Sequence, residues 1–268
     1  MKISVMPDAA SAVPGAPAAE AAVRVVELLG TAAEPLSLSE ISRRLELNKN
    51  MVFRILNTLK DRDWVYADPV MGGKYALTLR PFAVTSRARN RLTLNTAALP
   101  FLYQLWEATG DSTYLAVLQN DRALYLQHFD ATKNIKVAGR VGGSYPLHCT
   151  APGKALLAFA DEITLQRCMH APLEERTSNT ITDRRRLESH LALIRQRGYA
   201  LDLEEFGTGI ICCAAPVFDD TGTAVGALGC SLSLAENTAA DMERFQLRLV
   251  RETAEAVSRR LGFMQKSE

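Results

Sequence analysis

Ser37-Leu38-Ser39-Glu40-Ile41-Ser42-Arg43-Arg44-Leu45-Glu46-Leu47-Asn48-Lys49-Asn50-Met51-Val52-Phe53-Arg54-Ile55-Leu56-Asn57-Thr58-Leu59 decides the fold of the N-terminal third. Ser37 and Glu40 stand at capping-box spacing, where each side chain can satisfy the other's backbone donor, so a helix starts there. Leu38, Ile41 and Leu45 share one face of it and Arg43 and Arg44 point away. Glu46-Leu47 makes a short turn, and Asn48 is a good cap for a second helix reaching about Asp61. In that helix Val52, Ile55, Leu56 and Leu59 form the inner stripe. The opposite face then carries Lys49, Asn50, Phe53, Arg54 and Asn57.

Those side chains suit duplex DNA. Lys and Arg neutralise phosphates or read guanine, Asn pairs with adenine in a bidentate way, and an exposed Phe contacts a thymine methyl. A charged helix face is usually only solvated, so the neighbours must decide. Upstream, the apolar positions Val23, Val26 and Leu29, with Val25 and Leu28 beside them, predict a helix from Glu20 that ends at Gly30. Downstream, Trp64-Val65-Tyr66-Ala67 and Lys74-Tyr75-Ala76-Leu77 flank Asp68-Pro69-Val70-Met71-Gly72-Gly73, whose Pro and paired Gly are hairpin chemistry. Helix, capped helix, tight turn, basic helix and hairpin make a winged helix-turn-helix over residues 20–78. Ser39, Asn48, Lys49, Asn50, Phe53, Arg54, Asn57 and Lys74 are its candidate DNA contacts, Lys74 being placed near the wing tip to meet phosphate.

Charge follows the same division. Residues 21–91 hold twelve Lys/Arg against seven acids, or +5, although the 268-residue chain carries only +1. The remaining segments are therefore acidic. Residues 1–19, rich in Ala and Pro and lacking a charged start with an apolar core, are expected to be a disordered tail rather than a leader. No stretch approaches the roughly 20 apolar residues of a membrane helix. A cytoplasmic location follows. Five cysteines without CxxC spacing are expected as reduced thiols, and no metal or cofactor is expected.

Residues 79–92, with Pro81 and the basic run from Ser86 to Arg91, read as a helical linker. Beyond them, residues 93–265 read as an α+β domain: a helix at 93–109, strands at 113–118, 123–129 and 135–138, and helices from Lys154 and over 183–197 with Gly198 as a C-cap. A hairpin of 210–218 and 224–232 follows, then a final helix at 238–261. Thr150-Ala151-Pro152-Gly153 opens a helix, where free N–H groups favour an anion such as a carboxylate. Asp202, Cys212 and Ser231 offer polar groups near or on strands that line a cavity over the sheet. His148-Cys149 looks like a base beside a nucleophile, but adjacent residues diverge on an extended segment, so no enzyme is expected.

The chain resembles the IclR family of bacterial regulators from about Ala21 to Gly262. Three stretches carry it: Leu38–Ile41 with Val52–Leu56, Leu147-His148-Cys149-Thr150-Ala151-Pro152-Gly153-Lys154-Ala155-Leu156-Leu157-Ala158, and Glu205-Phe206-Gly207 through Ala214-Ala215-Pro216-Val217-Phe218-Asp219. The resemblance implies a winged helix-turn-helix, a helical linker and a GAF-like effector domain. It implies assembly as a dimer or dimer of dimers on a palindromic double-stranded operator. By similarity the small-acid pocket falls on Ala151, Pro152, Asp202, Ile210, Cys212, Gly229 and Ser231. Gly229 stands where some members carry a hydroxyl, and Pro152 lacks a donor. Those departures predict a roomier pocket for a bulkier or aromatic acid or amide rather than glyoxylate or pyruvate. The recognition helix opens Asn48-Lys49-Asn50-Met51 where members often have a Pro-Lys-Ser-Thr-like run, which predicts a different operator. Two other readings remain: a GAF-type ligand module whose helix-turn-helix contacts protein, and an enzyme built on the C-terminal domain.

Overall fold

A computed structural model describes residues 16–89, 93–133 and 139–264, with the backbone alone at 86–89. The chain divides into two compact units, Met1–Arg91 and Leu92–Glu268.

In the first unit, α1 (Pro17–Thr31), α2 (Leu38–Leu45) and α3 (Lys49–Asp61) precede the antiparallel hairpin β1 (Val65–Asp68) and β2 (Lys74–Leu77), followed by α4 (Arg80–Arg89). The capping box forms as expected, with Ser37 N donating to Glu40 Oε2 at 2.8 Å and Glu40 N to Ser37 Oγ at 3.3 Å. Asn48 Oδ1 accepts from Asn50 N at 2.8 Å and starts α3. Glu46, in the left-handed region at φ 56°, turns the chain between the two helices. Leu36 pairs with Tyr75 through two backbone bonds of 3.0 and 2.7 Å, which adds a third short rung to the wing.

Three expectations need correction here. α1 begins at Pro17, inside the segment read as tail, because proline suits the first helical position, where no N–H partner is needed. Its buried stripe is Ala21, Val25 and Leu29, an i, i+4, i+8 row, whereas Val23 is 56% exposed. Two residues of rotation, about 200°, separate Val23 from Val25. Gly30 does not end the helix, which continues through Thr31.

The second unit is a three-layer α+β structure. Helix α5 (Leu94–Thr109) leads into β3 (Ser112–Gln119), β4 (Arg122–Phe129) and β5 (Ser144–Tyr145). Then come α6 (Ala151–Ala158), α7 (Glu162–His170), α8 (Arg184–Arg197), β6 (Ala200–Leu203), β7 (Ile210–Phe218), β8 (Ala224–Ser233), α9 (Ala239–Arg244) and α10 (Gln246–Arg260). The six strands form one antiparallel sheet in the order β5-β4-β3-β8-β7-β6.

Alternation along the strands sends one set of side chains to each face. Tyr114, Ala116, Cys212, Ala214 and Ala227 meet Leu156, Leu157, Leu187, Leu191 and Ile194 of α6 and α8. On the other face Leu115, Cys213, Leu228 and Cys230 meet Leu102 and Leu105 of α5 and Val250 and Val257 of α10. The strand expected at 135–138 lies outside the described residues. The helix expected over 238–261 is broken at Phe245, whose φ of −113° and ψ of −64° separate α9 from α10. Strands β5 and β6 have no counterpart among the strands expected from the sequence.

Candidate functional site

The outer face of α3 is the first candidate site. Lys49, Asn50, Phe53 and Arg54 are exposed there, Phe53 at 50% despite being aromatic, while Asn57 is half-buried further along. Asn48 spends its side-chain oxygen on the cap, and Ser39 is exposed in the first turn of α2. Thirteen residues span about 20 Å, enough for the N-terminal half of α3 to reach base edges while its flanks meet phosphates. Lys74 stands beside the turn of the wing, though not at its most exposed point. It is the first residue of β2, half-buried, paired in register with Asp68, and close enough to Glu40 to help hold that carboxyl below its ordinary range, after the larger effect of the Ser37 bonds. The wing tip instead exposes Val70 at 91% and Met71 at 50%, which sequence reasoning passes over. The basic run at 86–91 falls outside the described side chains.

The second candidate site lies on the α6 side of the sheet. Strand register aligns Asp202 with Cys212 and Cys212 with Ser231, so the three face α6 in one row across β6, β7 and β8. Cys212 Sγ sits 3.0 Å from Ser231 Oγ. Asp202 accepts from Glu205 N at 2.7 Å and Phe206 N at 3.3 Å, yet burial pushes its carboxyl up to about 7. Burial also drives the Cys212 thiol well above its ordinary value. Ile210, at the start of β7, packs half-buried at the margin of the same core.

The helix-opening turn is more occupied than its sequence suggests. Thr150 Oγ1 donates to Pro146 O at 2.7 Å and accepts from Gly153 N at 3.1 Å, and Pro152 has no N–H. A Cβ on Gly153 would lie 2.5 Å from Pro146 O, so this glycine permits a close backbone approach. Thr150 and Gly153 thus hold the turn together, and Ala151 and Pro152 are fully enclosed in the core.

Gly229 requires a correction. It faces Tyr114 across the β3–β8 pair, and a Cβ there would stand 2.0 Å from Cys213 O and 2.8 Å from the Tyr114 hydroxyl. The space that a small residue would open is filled by Tyr114, whose hydroxyl donates to Cys213 O at 3.2 Å. The roomier pocket expected from Gly229 is therefore absent at that position.

Aromatic rings do assemble nearby. Tyr114 stacks on Tyr125 at 4.9 Å, Tyr125 meets Tyr145 at 4.4 Å, Tyr145 meets Phe206 edge-on at 5.8 Å, and the Arg176 guanidinium lies 4.7 Å above Phe206. Sequence reasoning misses all five. Lys154, fully buried, pairs with Glu205, whose second oxygen has no hydrogen-bond partner among the described residues.

The nucleophile reading fails on geometry. His148 Nε2 lies 3.0 Å from Glu174 O, and burial raises the Cys149 thiol to about 12. Cys149 is a packed thiol at neutral pH. Among the described residues no three His, Cys, Asp or Glu side chains gather as metal ligands, and no helix is long and apolar enough to cross a membrane.

Comparison with known proteins covers both units. The family model for the C-terminal domain of IclR bacterial transcriptional regulators matches residues 86–259, and that for the IclR helix-turn-helix domain matches residues 18–69. The chain is 33% identical to the transcriptional regulator KdgR of Dickeya chrysanthemi, over 77% of this chain and 68% of that protein. It is 31% identical to the transcriptional repressor AllR of Escherichia coli K12, over 92% and 91% of the two chains. The crystal structure of an IclR transcriptional regulator from Silicibacter sp. TM1040 is similar in fold, with a TM-score of 0.79 at 23% identity over 91% of this chain and 96% of that one.

Proposed function

This chain belongs to the IclR family of DNA-binding transcriptional regulators, and on that premise we propose that α3 reads an operator under the control of a small organic acid held on the α6 side of the sheet. The family is one of regulators and not of enzymes. The DNA contacts we assign are Lys49, Asn50, Phe53 and Arg54, with Ser39, Asn48, Asn57 and Lys74 as flanking contacts. The observation that carries the reading is the outer face of α3, where two cations, an amide and a half-exposed phenyl ring share one side while Val52, Ile55 and Leu56 are buried on the other. With its first helix starting at Pro17, the segment 17–78 is assigned to DNA, 79–92 to the linker and 93–265 to the effector domain. The active species is a dimer or dimer of dimers on a palindromic site, in the cytoplasm.

For the effector, Asp202, Cys212 and Ser231 supply the polar end, with Ile210 and the turn at Thr150–Gly153 at its border. The tyrosine wall of Tyr125 and Tyr145, with Phe206 under Arg176, supplies a flat apolar side. That wall takes over the argument for an aromatic acid that Gly229 was expected to carry, since ring–ring contacts add about 0.5–1.5 kcal/mol beyond area burial. Calorimetric titration with 4-hydroxybenzoate and with glyoxylate tests the class. Binding of the aromatic acid is expected, and tight glyoxylate binding without it refutes the assignment.

A further inference from the structure

A cleft of about 670 Å³ opens on the second unit away from the row of Asp202, Cys212 and Ser231. It lies between the end of α8, the last residues of β7 and one flank of α10, from Arg251 to Arg259. β6 pairs with β7 only as far as Ala214, so beyond that point β7 presents a bare edge, and Pro216, which has no N–H, occupies it. Cys212 and the cleft residues Pro216 and Phe218 share this strand but stand four to six residues apart, about 13–20 Å.

Its lining has two characters. Phe159 meets Phe218 edge-on at 5.2 Å, and Phe218 and Phe263 lie nearly parallel at 5.1 Å, which makes an aromatic wall. Opposite it stand Arg195, Arg197, Arg251 and Arg259, with Glu255 as the one acid among the lining residues. Only Arg259 meets that acid, at 3.9 Å, and among the described residues the other three guanidiniums make no ion pair. Arg197 donates through Nε to Tyr199 O at 2.8 Å, stacks 4.4 Å over the Tyr199 ring, and keeps its buried Nη2 without a hydrogen-bond partner among the described residues. Four arginines facing one lining carboxylate leave the cleft with an excess of positive charge, although Glu243 and Glu205 also act on Arg197, and a doubly charged anion offsets that excess.

We propose that this cleft is a second ligand site, distinct from the effector site, and that it takes an organic phosphate carrying an aromatic ring. The planar guanidinium fork matches phosphate oxygens in a bidentate way, and the phenyl wall offers a stacking surface to the ring. The volume is that of an ordinary small-molecule site. Because the two sites use different residues, this assignment stands or falls independently of the effector reading.

The test is fluorescence titration of the full chain with 1-naphthyl phosphate, alongside 1-naphthol and inorganic phosphate. The double variant Arg251→Ala/Arg259→Ala changes exposed side chains and keeps the fold, which circular dichroism checks. Expected are saturable binding of 1-naphthyl phosphate, a loss of about tenfold or more for the double variant and for 1-naphthol, and a change of less than about twofold for Asp202→Asn and for Arg54→Ala. Equal affinity for naphthol, undiminished binding by the double variant, loss on Asp202→Asn or Arg54→Ala, or no binding at about 1 mM overturns the proposal.

Discussion

Replacing Asp202 by Asn is expected to stabilise the effector domain at neutral pH and to leave it unchanged in acid. Asp202 is 2% exposed, and burial lifts its carboxyl to about 7, whereas an unfolded aspartate titrates at ~3.9. A carboxyl raised in the folded state contributes stability below its unfolded value and loses it as the pH climbs through the folded one. At 1.36 kcal/mol per pH unit the loss is about 1.5 kcal/mol by pH 5 and about 4 kcal/mol by pH 8. The amide introduced by Asp202→Asn would stay neutral throughout and keep an oxygen for the Glu205 and Phe206 N–H groups. The assay is urea denaturation in a Trp64→Phe background, in which Trp106 of α5 reports on the second unit alone. The difference between the Asn variant and its parent should grow by about 2–3 kcal/mol from pH 5 to pH 8. A pH-independent difference, or a less stable variant at pH 8, would mean that Lys154 and the two N–H donors hold Asp202 ionised, and the reasoning fails.

Gly229→Ala forces a Cβ to within 2.0 Å of Cys213 O and displaces Tyr114, so a cost of about 3 kcal/mol and a fall of roughly 6–12 °C in Tm are expected by circular dichroism. Lys154→Met leaves Glu205 charged and buried, which should cost about 3–5 kcal/mol, while Lys154→Met/Glu205→Leu recovers most of it; a double variant as unstable as the single one contradicts the pairing. If a carboxylate effector sits beside Asp202, its affinity in calorimetry should rise by up to about tenfold per unit as the pH falls from 8 towards 6, and a flat profile separates the ligand from Asp202. Asn48→Ala removes the cap of α3 and should weaken operator binding in a gel shift without moving the unfolding of the second unit, at about 1 kcal/mol of local helix stability.

Local chemistry in the sequence is a faithful guide where the deciding contacts are local. The capping box at Ser37 and Glu40, the Asn48 cap, and Gly198 closing α8 at φ 77° are all short-range devices, and each forms. The stripe on α1 is ambiguous in sequence because its run of apolar positions fits two faces, and only packing selects Ala21 over Val23. β5 and β6 are two and four residues long, too short for alternation to show. The candidate effector site is half legible: Asp202, Cys212 and Ser231 do share a face, but the aromatic wall joins Tyr125 and Tyr145 through the pairing of β4 with β5 and adds Phe206 from some sixty residues further along the chain. Gly229 reads as space in one dimension, and its cross-strand neighbour Tyr114 fills that space in three. Nothing local marks Lys154 and Glu205, 51 residues apart, as a buried pair.

The central claim, operator binding through the outer face of α3, is tested most directly by fluorescence anisotropy of the full chain on its own upstream DNA across a salt series, with Arg54→Ala in parallel. The account predicts a steep fall of affinity with salt, and for the variant a loss of about tenfold or more with Trp106-reported unfolding unchanged. Unchanged affinity in Arg54→Ala, or binding indifferent to salt, contradicts it.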